Sequence, residues 1–157
     1  MGGNLINYPD DCGTPTADLL TVKLLFNSII STPHAKFMTI DIKDFYLNTP
    51  MERHEYFRMK LDLFPPDIVE EYGLHDKVDA DGNVFCEVQQ GMYGLPQAGI
   101  NAQDLLTKRL GQAGYAQSKT TPGFWRHKWC PISFTLVVDN FGVKYTNKTD
   151  VDHLLNT

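Results

Sequence analysis

The length, composition and charge of the chain describe an ordinary globular domain. With 157 residues, 42% of them hydrophobic and 21% charged, the chain can bury a core, and its composition excludes a disordered or fibrous protein. The formal net charge is −5, but residues 1–100 hold 7 Lys and Arg against 15 Asp and Glu, whereas residues 101–157 hold 7 against 4. The net charge therefore argues against a cationic surface for nucleic acid over the chain as a whole. A modest basic patch stays open in the last third, where a solvated face explains the charges at least as well.

Hydrophobic periodicity predicts a helix, two strands, a short helix, a strand, a helix and a final hairpin. The first helix should span about residues 15–31, with Thr14 as its N-cap and Pro15 in the first helical position. Residues 37–42 are apolar and β-branched, which is typical of a strand buried on both faces. The other predicted elements are strands at 55–60, 84–88, 131–138 and 143–145, helices at 66–72 and 97–110, and turns at 81–82 and 139–142. Without a βαβ repeat, this order predicts an α+β fold with an antiparallel sheet.

No apolar segment reaches the length of a membrane-spanning helix. The best candidate, residues 19–30, is interrupted by Lys23, Asn27 and Ser28 and is shorter than the about 20 residues required. The first residues contain neither a basic region nor an apolar region of a signal peptide. We therefore expect a soluble, intracellular protein with no membrane partner.

Two aspartates lie at positions that a core-filling sequence would avoid. Asp41 is inside the strand predicted to be buried, and Asp139 is where an apolar strand breaks into a hairpin. A buried carboxylate must be paired, protonated or bound to metal, although Asp139 alone is explained by a turn and Asp41 alone by hydrogen bonds from backbone amides. Side by side in one sheet, the two carboxylates would form a site suited to Mg²⁺.

Three segments resemble motifs of reverse transcriptases. Residues 39–47, TIDIKDFYL, resemble the first catalytic motif, in which an aspartate is followed three residues on by an acidic residue and five residues on by an aromatic one. Residues 93–99, YGLPQAG, resemble a motif of copia-type retrotransposon polymerases, and residues 137–145, VVDNFGVKY, resemble the hairpin that carries the family's paired aspartates. The three segments occur in the family's order, and the resemblance as a whole extends over about residues 14–155. The resemblance implies that residues 1–157 are one domain fragment of the reverse transcriptase of a copia-like LTR retrotransposon.

The resemblance implies a right-hand polymerase palm with partial fingers and no thumb, in which helices pack on one face of the antiparallel sheet. Asp41 and Asp139 would ligate two Mg²⁺ ions about 4 Å apart, with Mn²⁺ as a possible substitute, for nucleotidyl transfer from a dNTP to a primer 3′-hydroxyl. The partners would be a primed RNA or DNA template and the rest of a Pol polyprotein, with fingers, thumb and RNase H. The location would be cytoplasmic, in a virus-like particle, or nuclear.

The first motif also implies contacts to the incoming nucleotide. The backbone amides near Asp44 and Phe45 would lie along the triphosphate. Tyr46 would be a steric gate whose ring occupies the space of a ribose 2′-hydroxyl. The alternative for Tyr46 is a core aromatic, since one of Phe45 and Tyr46 must pack inside.

The second motif contributes glycines and a glutamine. Gly91, Gly94 and Gly99 would let the backbone approach the nascent base pair and template, and Gln97 would contact the template or the incoming nucleotide. The alternative is a glycine-rich loop followed by a helix start.

The chain departs from the family at the hairpin, where Asn140 replaces the second aspartate. An amide can offer an oxygen but lacks the charge that offsets the metals, which predicts low or absent activity. Two other hypotheses stay open. One is a catalytically inactive palm descendant that binds nucleic acid or is structural. The other is a different palm-type nucleotidyltransferase, such as a cyclase or an RNA polymerase, although the aromatic at Tyr46 argues against an RNA polymerase.

Overall fold

The computed structural model describes Ile6, Tyr8 and residues 12–157. Within these residues the order of elements, with two 3₁₀ turns at Leu61–Leu63 and Leu74–Lys77, is α1 (Leu19–Ile30), β1 (Lys36–Asp41), β2 (Pro50–Lys60), α2 (Pro66–Glu71), β3 (Asn83–Gln90), α3 (Ala98–Gln112), β4 (Tyr115–Gln117), β5 (Phe124–His127), β6 (Ser133–Val137), β7 (Asn140–Tyr145) and α4 (Lys148–Leu155). The predicted α+β class with an antiparallel sheet is confirmed.

In the part of the chain that the structure describes, the main sheet has five strands in the order β1-β7-β6-β5-β4, and every neighbouring pair is antiparallel. Strands β4 to β7 form a meander in which each strand pairs with the next one along the chain. β1 joins its outer edge beside β7, with Lys36 opposite Tyr145 and Asp41 opposite Asn140. The sheet therefore pairs a strand from the first third of the sequence with strands from its last third.

The main core lies on the face of the sheet that α3 and α4 cover. Because side chains alternate along a strand, Phe134 and Leu136 of β6 share this face with Phe141 and Val143 of β7. All four are at most 5% exposed. The helices add Leu110, Val151 and Leu154 to this cluster, which also contains Tyr115, Trp125 and Ile132.

Helix α1 lies on the opposite face. Lys144, which alternates with Val143, donates from its ammonium group to the carbonyl of Ser28 (3.0 Å), to Ser28 Oγ (3.1 Å) and to Thr32 Oγ1 (2.8 Å). Phe26 of α1 packs on Phe37 of β1, with ring centroids 4.5 Å apart. The prediction that the helices pack on one face of the sheet is therefore wrong. Hydrogen bonds from Lys144 hold α1 on the face opposite to α3 and α4.

A separate ribbon of β2 and β3 carries a small core of its own with α2. On its exposed face Glu87 accepts hydrogen bonds from Gln89 (2.9 Å) and Tyr56 (2.7 Å) and contacts the His54 ring nitrogen at 3.0 Å. These groups, Gln89 first, lower the pKa of Glu87 from 4.5 to about 2. Arg58 holds both Asp79 and Asp81 beside the turn that joins the strands.

Two predicted boundaries differ from the structure. α1 begins at Leu19, with Asp18 as the N-cap accepting from the amide of Thr21 (2.7 Å). Thr14 and Pro15 are therefore not the start of the helix. The cause is the amide of Ala17, which donates to the carbonyl of Leu136 (2.9 Å) and ties the preceding segment to the sheet. The final turn is Val138–Asp139 rather than 139–142, since Val137 already pairs with Asn140.

The prediction that residues 37–42 form a strand buried on both faces is also wrong. β1 is an edge strand, and Lys36, Thr39 and Asp41 are exposed. Strands β4 and β5 and helix α4 were not predicted at all. No helix in the described part of the chain is long and apolar enough to cross a membrane.

Candidate active site at the β6–β7 hairpin

The register of the main sheet brings Asp41 to the hairpin of β6 and β7. Asp41, the last residue of β1, lies opposite Asn140, the first residue of β7. One residue further on, the amide of Ile42 donates to the carbonyl of Asp139 at 3.0 Å. Two sequence-predicted metal ligands, Asp41 and Asp139, and the predicted catalytic residue Asn140 therefore meet at one corner of the sheet.

The hairpin tip is a two-residue turn with an unusual backbone. Val138, its first residue, has φ of +59°. A positive φ at this position is typical of a type II′ turn, where glycine is preferred, and for a β-branched residue it is a true outlier. Strain of this kind costs about 1–3 kcal/mol and concentrates at functional sites. Asp44, three residues after Asp41, also has a left-handed backbone, with φ of +54°.

The carboxylates of the corner differ in their surroundings. Asp41 is exposed, and among the described residues no hydrogen bond or ion pair engages its side chain. The desolvation argument for Asp41 therefore fails, because an edge strand leaves this carboxylate in water. Asp139 is half-buried, and its Oδ1 accepts a hydrogen bond from Asn140 Nδ2 at 2.8 Å. The Asn140 side-chain amide thus occupies one carboxylate oxygen of Asp139.

The segment after β1 turns back and places two aromatic rings differently. Phe45 is 6% exposed and packs inside, whereas Tyr46 is half-buried, with its ring edge-on to Tyr93 at a centroid distance of 4.8 Å. Burial raises the pKa of the Tyr46 hydroxyl, and the negative charge of Asp139 and the neighbouring Tyr93 raise it further. Tyr46 therefore stays protonated at neutral pH beside Asp139, and the expectation that one of the two rings packs inside is met by Phe45.

A close backbone contact fixes this turn. The amide of Gly91 donates to the carbonyl of Thr49 at 2.7 Å, and the hydroxyl of Thr49, which is 3% exposed, donates to the carbonyl of Phe45 at 2.9 Å. A Cβ on Gly91 would lie 2.6 Å from the carbonyl oxygen of Tyr46. Gly91 thus makes a close approach to the backbone of Tyr46, and its predicted approach to a base pair stays a prediction.

The rest of the second motif leads into α3. Gly94 has φ of +92°, which favours glycine in the turn before the helix. Gln97 is 1% exposed, and its Nε2 donates to Glu55 Oε1 at 2.9 Å, while its Oε1 has no hydrogen-bond partner among the described residues. The predicted contact of Gln97 with template or nucleotide stays a prediction, and in this structure the side chain joins α3 to β2.

Sequence reasoning missed Glu55 and the contact role of Tyr93. Glu55 is at the start of a predicted strand whose sequence carries no functional motif. No pattern in the sequence links it to Gln97, which is 42 positions away. Tyr93 is part of the second motif, but only the folded chain sets its ring against Tyr46.

The corner offers oxygen donors from two carboxylates and one amide. In the described residues no three His, Cys, Asp or Glu side chains form a group able to hold a metal ion. Carboxylate and amide oxygens are nevertheless the donors that Mg²⁺ and Ca²⁺ take in proteins, with water and phosphate completing the coordination. The residues present thus suit a hard divalent cation, with one negative charge fewer than three aspartates would give.

No family model, curated protein or solved structure matches this chain.

Proposed function

We propose that the chain is the palm, with part of the fingers, of an RNA-directed DNA polymerase of a copia-like retrotransposon. The observation that carries this proposal is the meeting of all three resembling segments at one corner of the sheet. Asp41 lies opposite Asn140, and Tyr46 of the first segment touches Tyr93 of the second. A shared site is what a common chemical task requires of segments that are far apart in sequence.

Each residue at the corner has a specific part in this proposal. Asp41 and Asp139 hold divalent cations, which when bound would activate the primer hydroxyl and stabilise the charge on the transferred phosphate. Tyr46 presents its ring towards the space beside Asp139, where it excludes a ribose 2′-hydroxyl. Thr49 and Gly91 keep the backbone of Tyr46 in position.

Asn140 favours a second candidate, a palm that binds nucleic acid without catalysis. Its amide donates to Asp139 Oδ1 and brings no charge, so the corner attracts cations less strongly than the family's three carboxylates. In its natural form we therefore expect the chain to give little or no primer extension.

The test is primer extension on poly(rA)–oligo(dT) with Mg²⁺ or Mn²⁺, after fusion of the chain to fingers and thumb of a copia-type enzyme. Three versions are compared: the natural chain, Asn140→Asp, and Asn140→Asp with Asp41→Asn. Restoring one charge should raise extension by about 10²-fold, the usual scale for one electrostatic group in an active site. The added Asp41→Asn change should abolish that gain.

A second measurement separates the two candidates. If Asn140→Asp gives no extension but the fusion still binds primed template without divalent ions, the non-catalytic palm is the better description. If neither activity appears in a folded protein, both proposals fail. Tyr46→Ala in the restored fusion should admit ribonucleotides, and unchanged selectivity for dNTPs would remove the gate role.

A further inference from the structure

A cleft of about 560 Å³ lies between one side of α1 and the main sheet. Its floor includes Ser133 and Lys144, at the end of the strands away from the hairpin tip. Lys144 is four positions along β7 from Asn140, a distance of about 14 Å at the usual rise of a strand. The cleft is therefore distinct from the candidate active site.

The size and lining of the cleft suit a small organic molecule. Pockets for such ligands measure about 300–1,000 Å³ and are mostly apolar with a few polar groups. Apolar side chains line the cleft from both sides, namely Leu24, Leu25, Phe124, Pro131 and Ile132. Ser28, Thr32 and Ser133 add hydroxyls.

The charge of the cleft is positive although the chain as a whole is acidic. Its arginine and lysine side chains among the described residues are Arg126 and Lys144, and none of the described lining residues is acidic. Both belong to one row across the sheet, since Arg126 lies opposite Ser133 and Ser133 lies opposite Lys144. At the usual strand spacing this row sets the two cations about 10 Å apart at the Cα atoms, on the same face.

The two cations have different parts. Lys144 uses its three N–H groups on the end of α1, so it supplies charge rather than a contact. Arg126 is exposed, its guanidinium lies 5.0 Å from the centre of the Phe124 ring, and within the described chain no carboxylate pairs with it. The guanidinium N–H groups of Arg126 are therefore available to donate hydrogen bonds to the anionic group of a ligand.

We propose that this cleft binds a small aromatic anion, with a flat apolar ring system between α1 and the sheet and a carboxylate or sulfonate at Arg126. The positive row selects against neutral and cationic molecules of the same shape. The site is independent of the proposed polymerase function.

The test compares two dyes of similar shape, the anionic 8-anilinonaphthalene-1-sulfonate and the neutral N-phenyl-1-naphthylamine, by fluorescence titration of the natural chain. Arg126→Gln should weaken binding of the anionic dye about tenfold and leave the neutral dye unchanged. Arg109→Gln on α3, which is also exposed but packs on the other face, is the matched control and should change neither. Leu24→Trp at the mouth should weaken both dyes, and because Leu24 is 58% exposed the variant should fold.

Saturable 1:1 binding with this pattern, in protein whose near-ultraviolet circular dichroism and urea midpoint are unchanged, supports the site. The proposal is overturned if binding does not saturate, if Arg126→Gln and Arg109→Gln behave alike, or if Leu24→Trp leaves both dyes unaffected. Dye fluorescence that appears only in protein without native near-ultraviolet signal also overturns it, because that dye is bound to partly unfolded chain.

Discussion

Replacing Gly91 by alanine tests the backbone contact beneath Tyr46. The added Cβ would lie 2.6 Å from the carbonyl oxygen of Tyr46, against about 3.4 Å for an ordinary contact, so one segment must move by about 0.8 Å. Overpacking of this kind costs about 1–3 kcal/mol. The shift also strains the 2.7 Å hydrogen bond from Gly91 to Thr49, which is worth about 1 kcal/mol. We expect the free energy of unfolding to fall by about 2–4 kcal/mol.

The chain provides its own matched control in Gly111. This glycine lies inside α3, and a Cβ there would meet no atom within 4 Å. Gly111→Ala should therefore raise the free energy of unfolding by about 0.5–1 kcal/mol, because alanine is the better helix former. Urea titrations followed by the fluorescence of Trp125, which is 2% exposed, measure both variants. If Gly91→Ala is as stable as the natural chain, the contact with Tyr46 is absent in solution and the positioning of Tyr46 loses its basis.

Three further outcomes are expected. Lys144→Met should lower the free energy of unfolding by about 1–3 kcal/mol, since its three hydrogen bonds to the end of α1 are lost. An unchanged urea midpoint would contradict the role of Lys144 in holding α1 on the sheet. Val138→Gly should raise that free energy by about 1 kcal/mol, because glycine accepts a φ of +59° without steric cost; a destabilised protein would show that the tip is not strained. The hydrogen bonds to Glu87, Gln89 first, lower its pKa to about 2, so their stabilising effect is complete above about pH 4.5 and is lost as the pH falls towards 2. Glu87→Gln should make thermal stability less dependent on pH in that window, and an identical pH profile would remove Glu87 as a contributor.

The sequence predicts the fold class because the longest patterns are the clearest. Residues 97–110 repeat at helical spacing and become α3 at Ala98–Gln112, and the apolar run after Pro131 becomes β6 at Ser133–Val137. Strand β4 has only three residues, which is too short for any periodicity to register. Its place is set by pairing with β5, a contact that no local pattern encodes.

The sequence predicts which residues form the candidate site but not how exposed they are. The residue types of Asp41 and Asp139 predict a shared site, and the register of β1 with β7 brings the two residues to one corner. The predicted burial of Asp41 fails because an apolar strand sequence looks the same at an edge and in the middle of a sheet. Only the strand order distinguishes the two.

The long-range pairing of β1 has a consequence for folding. Asp41 and Asn140 are opposite each other in the sheet yet about 100 residues apart in the chain, whereas β4 to β7 pair only with sequence neighbours. Contacts between distant residues carry a large loop-closure entropy and form slowly. The meander can thus assemble early, while the corner with Asp41 and Asp139 is complete only when β1 joins the edge. A divalent cation that binds both carboxylates would therefore stabilise the chain only once β1 has joined the sheet.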